Sequence, residues 1–141
     1  MAGSTADQEF ARAQTHSDAM QDAELVAVFS AYTIASVVWL LFATAVGLLL
    51  AFKFGAPDFW AGKYLTFGRL RPIHTNGTFY GWASIALVGL AYYVAARSCG
   101  TRLYSVRLAW VGLWLFNIAA VAGTAALVLG ILFGSFALRR T

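Results

Sequence analysis

Leu25–Phe52 reads LVAVFSAYTIASVVWLLFATAVGLLLAF, a run without a single formal charge. A bilayer hydrocarbon core is roughly 30 Å thick, and about 20 residues cross it at the rise of an α-helix. The run is long enough to span. Inside lipid its backbone N–H and C=O groups have no water to bond, so helix is the form that satisfies them within one segment. Ser30 and Trp39 are tolerable within such a span, and Lys53 closes it with an amine that can reach back to headgroups.

Two further apolar stretches follow. Ile73–Ala96 again carries no formal charge, and Pro72 just before it suits a helix start, where its missing N–H removes nothing. The third stretch runs from about Leu108 to Phe136 and is stopped by Arg139 and Arg140. The sequence predicts an all-α membrane protein of three transmembrane helices packed antiparallel, with spans near 27–52, 72–96 and 108–136. Residues 1–24 read as a polar, acidic tail, loose or helical only near its end, ahead of a membrane portion covering 25–138.

Composition agrees. Sixty per cent of the 141 residues are hydrophobic and only 11% are charged, against about 25% charged in an ordinary soluble domain. The net charge is +4, but the acids Asp7, Glu9, Asp18, Asp22 and Glu24 sit in the tail, whereas the bases lie between and after the spans. That scatter makes no basic patch and excludes nucleic acid as the natural partner. The lipid bilayer is the predicted one. The single cysteine, Cys99, rules out an internal disulfide and any multi-thiolate metal site. No basic start leads into an early apolar core, so residues 1–24 are not expected to act as a secretory signal peptide.

The residue that carries chemistry is His74, one of two histidines. It opens the second span behind Arg69-Leu70-Arg71-Pro72-Ile73. An ionisable group inside a spanning segment points to function, and neutral imidazole is a good axial ligand for haem iron. At about 100° per residue, Gly77 and Gly81 lie near its azimuth with Thr78 beside them. Glycines there leave room for a flat macrocycle, or equally for a neighbouring helix backbone. Both readings stand on the pattern alone. Arg69 and Arg71 suit carboxylates such as haem propionates, or lipid headgroups. His16 reads as a solvated tail residue and Cys99 as incidental. Tyr92, Tyr93, Trp110 and Trp114 read as interfacial anchors, and Asn117 as a partner for another helix.

Leu65-Thr66-Phe67-Gly68-Arg69-Leu70-Arg71-Pro72-Ile73-His74-Thr75-Asn76 resembles the start of helix II in subunit I of cbb3-type cytochrome c oxidases, and nitric oxide reductases carry a looser version around the same His-Thr-Asn. Tyr92-Tyr93-Val94 followed by arginines, and Trp110, Trp114-Leu115-Phe116-Asn117 and Gly123, are similar to the same family. The resemblance extends over roughly residues 30–134, corresponding to helices I–III of haem-copper oxidase subunit I. It implies that His74 is one of two axial ligands of the low-spin haem b, which relays electrons from cytochrome c to the oxygen-reducing centre of a proton-pumping respiratory enzyme. It implies that Arg69 and Arg71 lie near the propionates and that Gly77 and Gly81 border the macrocycle. The second haem b ligand, the high-spin haem and the copper belong, by the same resemblance, to later helices, so the chain reads as a fragment whose partners are the remainder of subunit I and cytochrome c-type subunits.

Localisation in the bacterial inner membrane as a multi-pass protein follows from the same likeness. It also implies a cytoplasmic N-terminus and a periplasmic His74 end, whereas counting the bases of residues 53–72 with the C-terminal pair mildly favours the reverse. The alternatives left by the residues are a nitric oxide reductase-like subunit, a small stand-alone haem protein sharing one haem between two copies, and a non-catalytic scaffold.

Overall fold

The structure, a computed structural model, describes residues 5–60, 62 and 64–129, with the side chains of Ala6 and Asp7 left out. Lys63, the end of the predicted third span, Arg139 and Arg140 lie outside the described residues. Helix α1 covers Thr5–Gly55. Helix α2 covers Phe67–Cys99, and Gly77–Ser84 within it is π-helical. Helix α3 covers Val106–Leu129. All three are long and apolar enough to cross a membrane, and there is no strand among the described residues. The predicted all-α membrane architecture is the observed one.

Helix α1 has 51 residues, about 76 Å at 1.5 Å per residue. It therefore passes far beyond a single bilayer crossing. The polar segment expected to be loose is helical from Thr5. Two features account for this. No Gly or Pro interrupts residues 5–46, where Ala, Gln, Glu and Met favour helix, and ion pairs tether the extension to the end of α2 and the α2–α3 turn. Arg97 meets Asp22 at 3.2 Å and Arg102 meets Asp18 at 3.1 Å.

Helix α2 begins five residues before the proline expected to open it. The amides of Arg69 and Leu70 both donate to the Thr66 carbonyl, each at 3.0 Å, closing the first turn. Pro72 thus lies inside the helix, and the bond it cannot make would have gone to the carbonyl of Gly68. Gly68 is exposed, so solvent or headgroups can satisfy that oxygen. At the other end Gly100 adopts φ 58° and donates to the Ala96 carbonyl, a left-handed cap that glycine adopts without steric penalty.

The contact faces explain the packing. On α1 the inward residues are Leu25, Val28, Tyr32, Ser36, Trp39, Ala43, Gly47 and Leu50. Their steps of three, four and four repeat every 11 residues, a period close to that of the straight α-helix, so the stripe winds little. On α2 the buried positions are Leu70, Ile73, Gly77, Gly81, Ile85 and Gly89. A strict spacing of four from Ile73 to Gly89 would drift by about 160° around a pure α-helix. The wider π turns at Gly77–Ser84 take back part of that rotation and keep the stripe on α1.

Glycine makes the close approach possible. A Cβ added at Gly81 would stand 2.6 Å from the Trp39 ring, and one at Gly89 would stand 2.5 Å from Tyr32 Cβ. Small residues of this kind let helix backbones meet in lipid. Tyr32, Val28 and Ile85 form the centre of the core. The Tyr32 hydroxyl donates to the Ala109 carbonyl of α3 at 2.8 Å. Tyr92, expected at the interface, packs edge-on against Tyr32 at 5.7 Å instead. Helix α3 leaves Leu108, Val111, Trp114, Leu115, Ile118 and Val121 exposed, a surface suited to hydrocarbon or to further helices.

Candidate functional site

His74 lies in the second turn of α2, half-buried where α2 crosses α1. Its Nδ1 is 2.8 Å from the carbonyl oxygen of Ala43. A carbonyl only accepts, so this contact selects the tautomer with the proton on Nδ1, and the imidazole donates to Ala43. Nε2 then carries the free lone pair. Among the described residues it has no hydrogen-bond partner.

The ring also lies against Gly47 of α1, one turn beyond Ala43. A Cβ built there would come within 2.7 Å of His74 Cε1 and 2.9 Å of Nδ1. Behind the ring, the His74 carbonyl accepts from the Thr78 hydroxyl at 2.9 Å and from the amide of Gly77, where the π segment begins. Short π segments within α-helices recur at functional sites.

The other residues singled out from the sequence are distributed around this centre. Gly77 shares Ala43 with His74, since its added Cβ would meet Ala43 Cβ at 3.2 Å. Gly81 sits one turn deeper, against Trp39. Both glycines are therefore helix–helix contact points. Arg69 is half-buried and donates to the Val128 carbonyl of α3 at 2.8 Å, with its guanidinium 5.8 Å from the centre of the Tyr64 ring. The Arg71 side chain is exposed. The two arginines thus diverge, one turned to α3 and the other outward. His16 and Cys99 are exposed, and Cys99 has no disulfide partner.

Three hydrogen bonds tie the elements around the site. Trp39 Nε1 donates to Asn117 Oδ1 at 3.0 Å, and Asn117 Nδ2 donates to the Leu113 carbonyl at 2.8 Å. Asn117 thus joins α3 to α1. Lys53 is buried rather than reaching for headgroups, and its Nζ donates to the Phe59 carbonyl at 2.6 Å. That bond draws in the loop at Trp60, whose φ of 50° is positive.

Sequence reasoning missed Ala43 and Gly47. The available signal was a pair of small residues four apart on α1, the spacing that opens a helix face to a neighbour. Among the described residues no three His, Cys, Asp or Glu side chains gather into a metal site. A porphyrin already gives its iron four nitrogen donors, so a single histidine with an anchored Nδ1 and an available Nε2 suits haem, whereas a bare metal ion would need several side-chain donors at once.

Residues 27–139 match the family Cytochrome C and Quinol oxidase polypeptide I. The chain belongs to this family. Over 100 residues it is 32% identical to a cytochrome c oxidase subunit 1 homolog of Agrobacterium tumefaciens (strain T37), covering 71% of this chain and 19% of that protein. It is 30% identical to the cbb3-type cytochrome c oxidase subunit CcoN1 of Stutzerimonas stutzeri, with 70% of this chain and 21% of the relative covered. Similarity to cytochrome c oxidase subunit 1 of Rhodobacter capsulatus is 32% over 108 residues, or 73% and 20% of the two chains. The chain thus spans about a fifth of the length of the polypeptide I relatives it matches. Its matched segment contains α2, α3 and the apolar part of α1, so the site around His74 lies wholly within it.

Proposed function

We propose that this chain supplies His74 as an axial ligand to the low-spin haem b of a cbb3-type cytochrome c oxidase, on the route of electrons from cytochrome c to the oxygen-reducing haem-copper centre. The observation that carries this reading is the bond from His74 Nδ1 to the Ala43 carbonyl. Histidines that ligate metals characteristically donate their other ring N–H to a carbonyl or carboxylate, which fixes the tautomer and raises the basicity of the ligating nitrogen.

When bound, the haem supplies one-electron chemistry, and its potential responds to the axial ligand, the hydrogen bonds around it and burial. The chain's own part is positioning. Ala43 holds the ring, and the α1–α2 contact through Gly77 and Gly81 holds Ala43 in place beside α2. A guanidinium has five N–H donors, so Arg69 retains several beyond the one given to Val128, and exposed Arg71 retains its full set. Both suit carboxylates such as propionates. The second axial ligand, the high-spin haem, the copper and the cytochrome c-type subunits are supplied by other polypeptide segments, and the whole complex resides as a multi-pass assembly in the bacterial inner membrane.

The direct test is His74→Ala in the haem-loaded membrane complex, read by reduced-minus-oxidised absorption and low-temperature EPR. Loss of the low-spin haem signal with the complex still assembled is the expected result. An unchanged low-spin signal would overturn the assignment and leave His74 as a structural histidine.

A further inference from the structure

We propose that Gly47 is a positioning residue for the His74 imidazole, because its missing side chain uncovers the backbone carbonyl that anchors Nδ1. This rests on the reading of His74 as a haem ligand. Within an α-helix the carbonyl of residue i points along the axis toward the amide of residue i+4. The Cβ of residue i+4 tilts back toward the helix N-terminus. Every side chain therefore partly covers the carbonyl one turn before it. Ala43 and Gly47 stand in this relation on α1, so a third group can reach the Ala43 oxygen only by passing over position 47.

The distances show how little room there is. A Cβ at position 47 would lie 2.7 Å from His74 Cε1, 2.9 Å from Nδ1 and 3.4 Å from Nε2. Real Cβ atoms essentially never approach below 3.0 Å. The contact is with the ring itself, and the ring is held by its 2.8 Å bond to Ala43. It cannot yield without lengthening that bond or rotating Nε2 away from its present direction. Gly47 differs in this from Gly77 and Gly81, whose added Cβ atoms meet Ala43 and Trp39 and not the imidazole.

The consequence is electronic as well as steric. The Nδ1–H···O=C bond increases electron donation from Nε2, which favours ferric iron. Gly47→Ala weakens that bond, so the midpoint potential of the low-spin haem rises and its EPR g-values shift with the ring orientation. The test is Gly47→Ala in the haem-loaded membrane complex, with potentiometric titration and low-temperature EPR beside the parent and His74→Ala. A raised potential and altered g-values at near-parental haem content support the proposal. Parental potential and g-values in Gly47→Ala, with the signal lost in His74→Ala, overturn it while the ligand reading survives. An intact low-spin signal in His74→Ala removes both.

If Gly47→Ala prevents assembly, the double variant Gly47→Ala/His74→Ala decides. Removing the imidazole vacates the space a Cβ needs, so accumulation of the double variant in membranes equal to that of His74→Ala supports the collision. Accumulation below that of His74→Ala means that position 47 fails for a reason unrelated to the ring, and the proposal falls.

Discussion

The two ends of the bundle are tied by charged or ionisable side chains in opposite ways. Where α1 leaves the apolar core at its N-terminal side, Arg97–Asp22 and Arg102–Asp18 join it to the end of α2 and the following turn by direct, solvated contacts, with side-chain exposures between 45% and 70%. At the other end Lys53, Arg69 and His74 are at least half-buried, and each donates to a main-chain carbonyl: Phe59, Val128 and Ala43. A solvated ion pair gains little, because water already serves both charges. A donor inside an apolar bundle has no such substitute and is costly to leave unmatched. The difference teaches that the carbonyl-anchored end can fix a side chain's direction, which a ligand needs, while the ionic end only steadies an extension.

Substitutions can break or sharpen that contrast. The largest expected effect is His74→Ala, which removes the low-spin haem signal while the ionic end is untouched. Next come the glycines at the α1–α2 crossing. Gly81→Ala forces a Cβ into Trp39, and overpacking of this kind costs about 1–3 kcal/mol, readable as reduced resistance to thermal unfolding in detergent. This outweighs the gain of about 0.5–1 kcal/mol that alanine normally brings to a helix interior. If Gly81 borders haem as well, the absorption band moves too. A shift of the band without loss of stability would contradict the helix-contact role.

Trp39→Phe keeps the ring against Gly81 but deletes the donor to Asn117. Interhelical hydrogen bonds in membranes contribute about 0.6 kcal/mol on average and up to about 2, so a loss in that range is expected in the same unfolding assay, together with loosening of α3. No loss would mean that the Trp39–Asn117 pair holds nothing. The smallest effect belongs to the ionic end. Arg97→Ala with Arg102→Ala should lower stability by less than about 1 kcal/mol and chiefly at low salt, since exposed ion pairs weaken as added salt shortens the Debye length, roughly 10 Å at 0.1 M. Protease access to residues 5–24 in high and low salt measures it. A large, salt-independent effect would show that the two ends are not so different after all.

Much of the candidate site was legible, but unevenly. His74 stood out because a titratable side chain at the head of an otherwise uncharged apolar run is conspicuous in any reading. Its partner did not, because Ala43 contributes a main-chain atom, which no residue type announces. Gly47 escaped notice for the same reason: its role is to be absent. Arg69 and Arg71, one residue apart in the chain, were read as a pair, yet a helix turns about 100° between neighbours and more between alternate positions, so one meets α3 and the other faces out. Pro72 and the acidic tail misled because a helix start depends on which carbonyl closes the first turn, here Thr66, and a tail's order depends on distant partners, here Arg97 and Arg102.

The sequence by itself determined that this chain forms three helices in lipid, since apolar length is a sum over neighbours and the bilayer admits no other backbone for such runs. It also singled out one imidazole, His74, at the head of the second span. Only the tertiary structure decided which nitrogen of that imidazole is held, which helix holds it, and that a π segment keeps α2 in register with α1. These depend on the close approach of residues about 30 positions apart, where a few tenths of an ångström separate a hydrogen bond from a collision, and no local pattern records that distance.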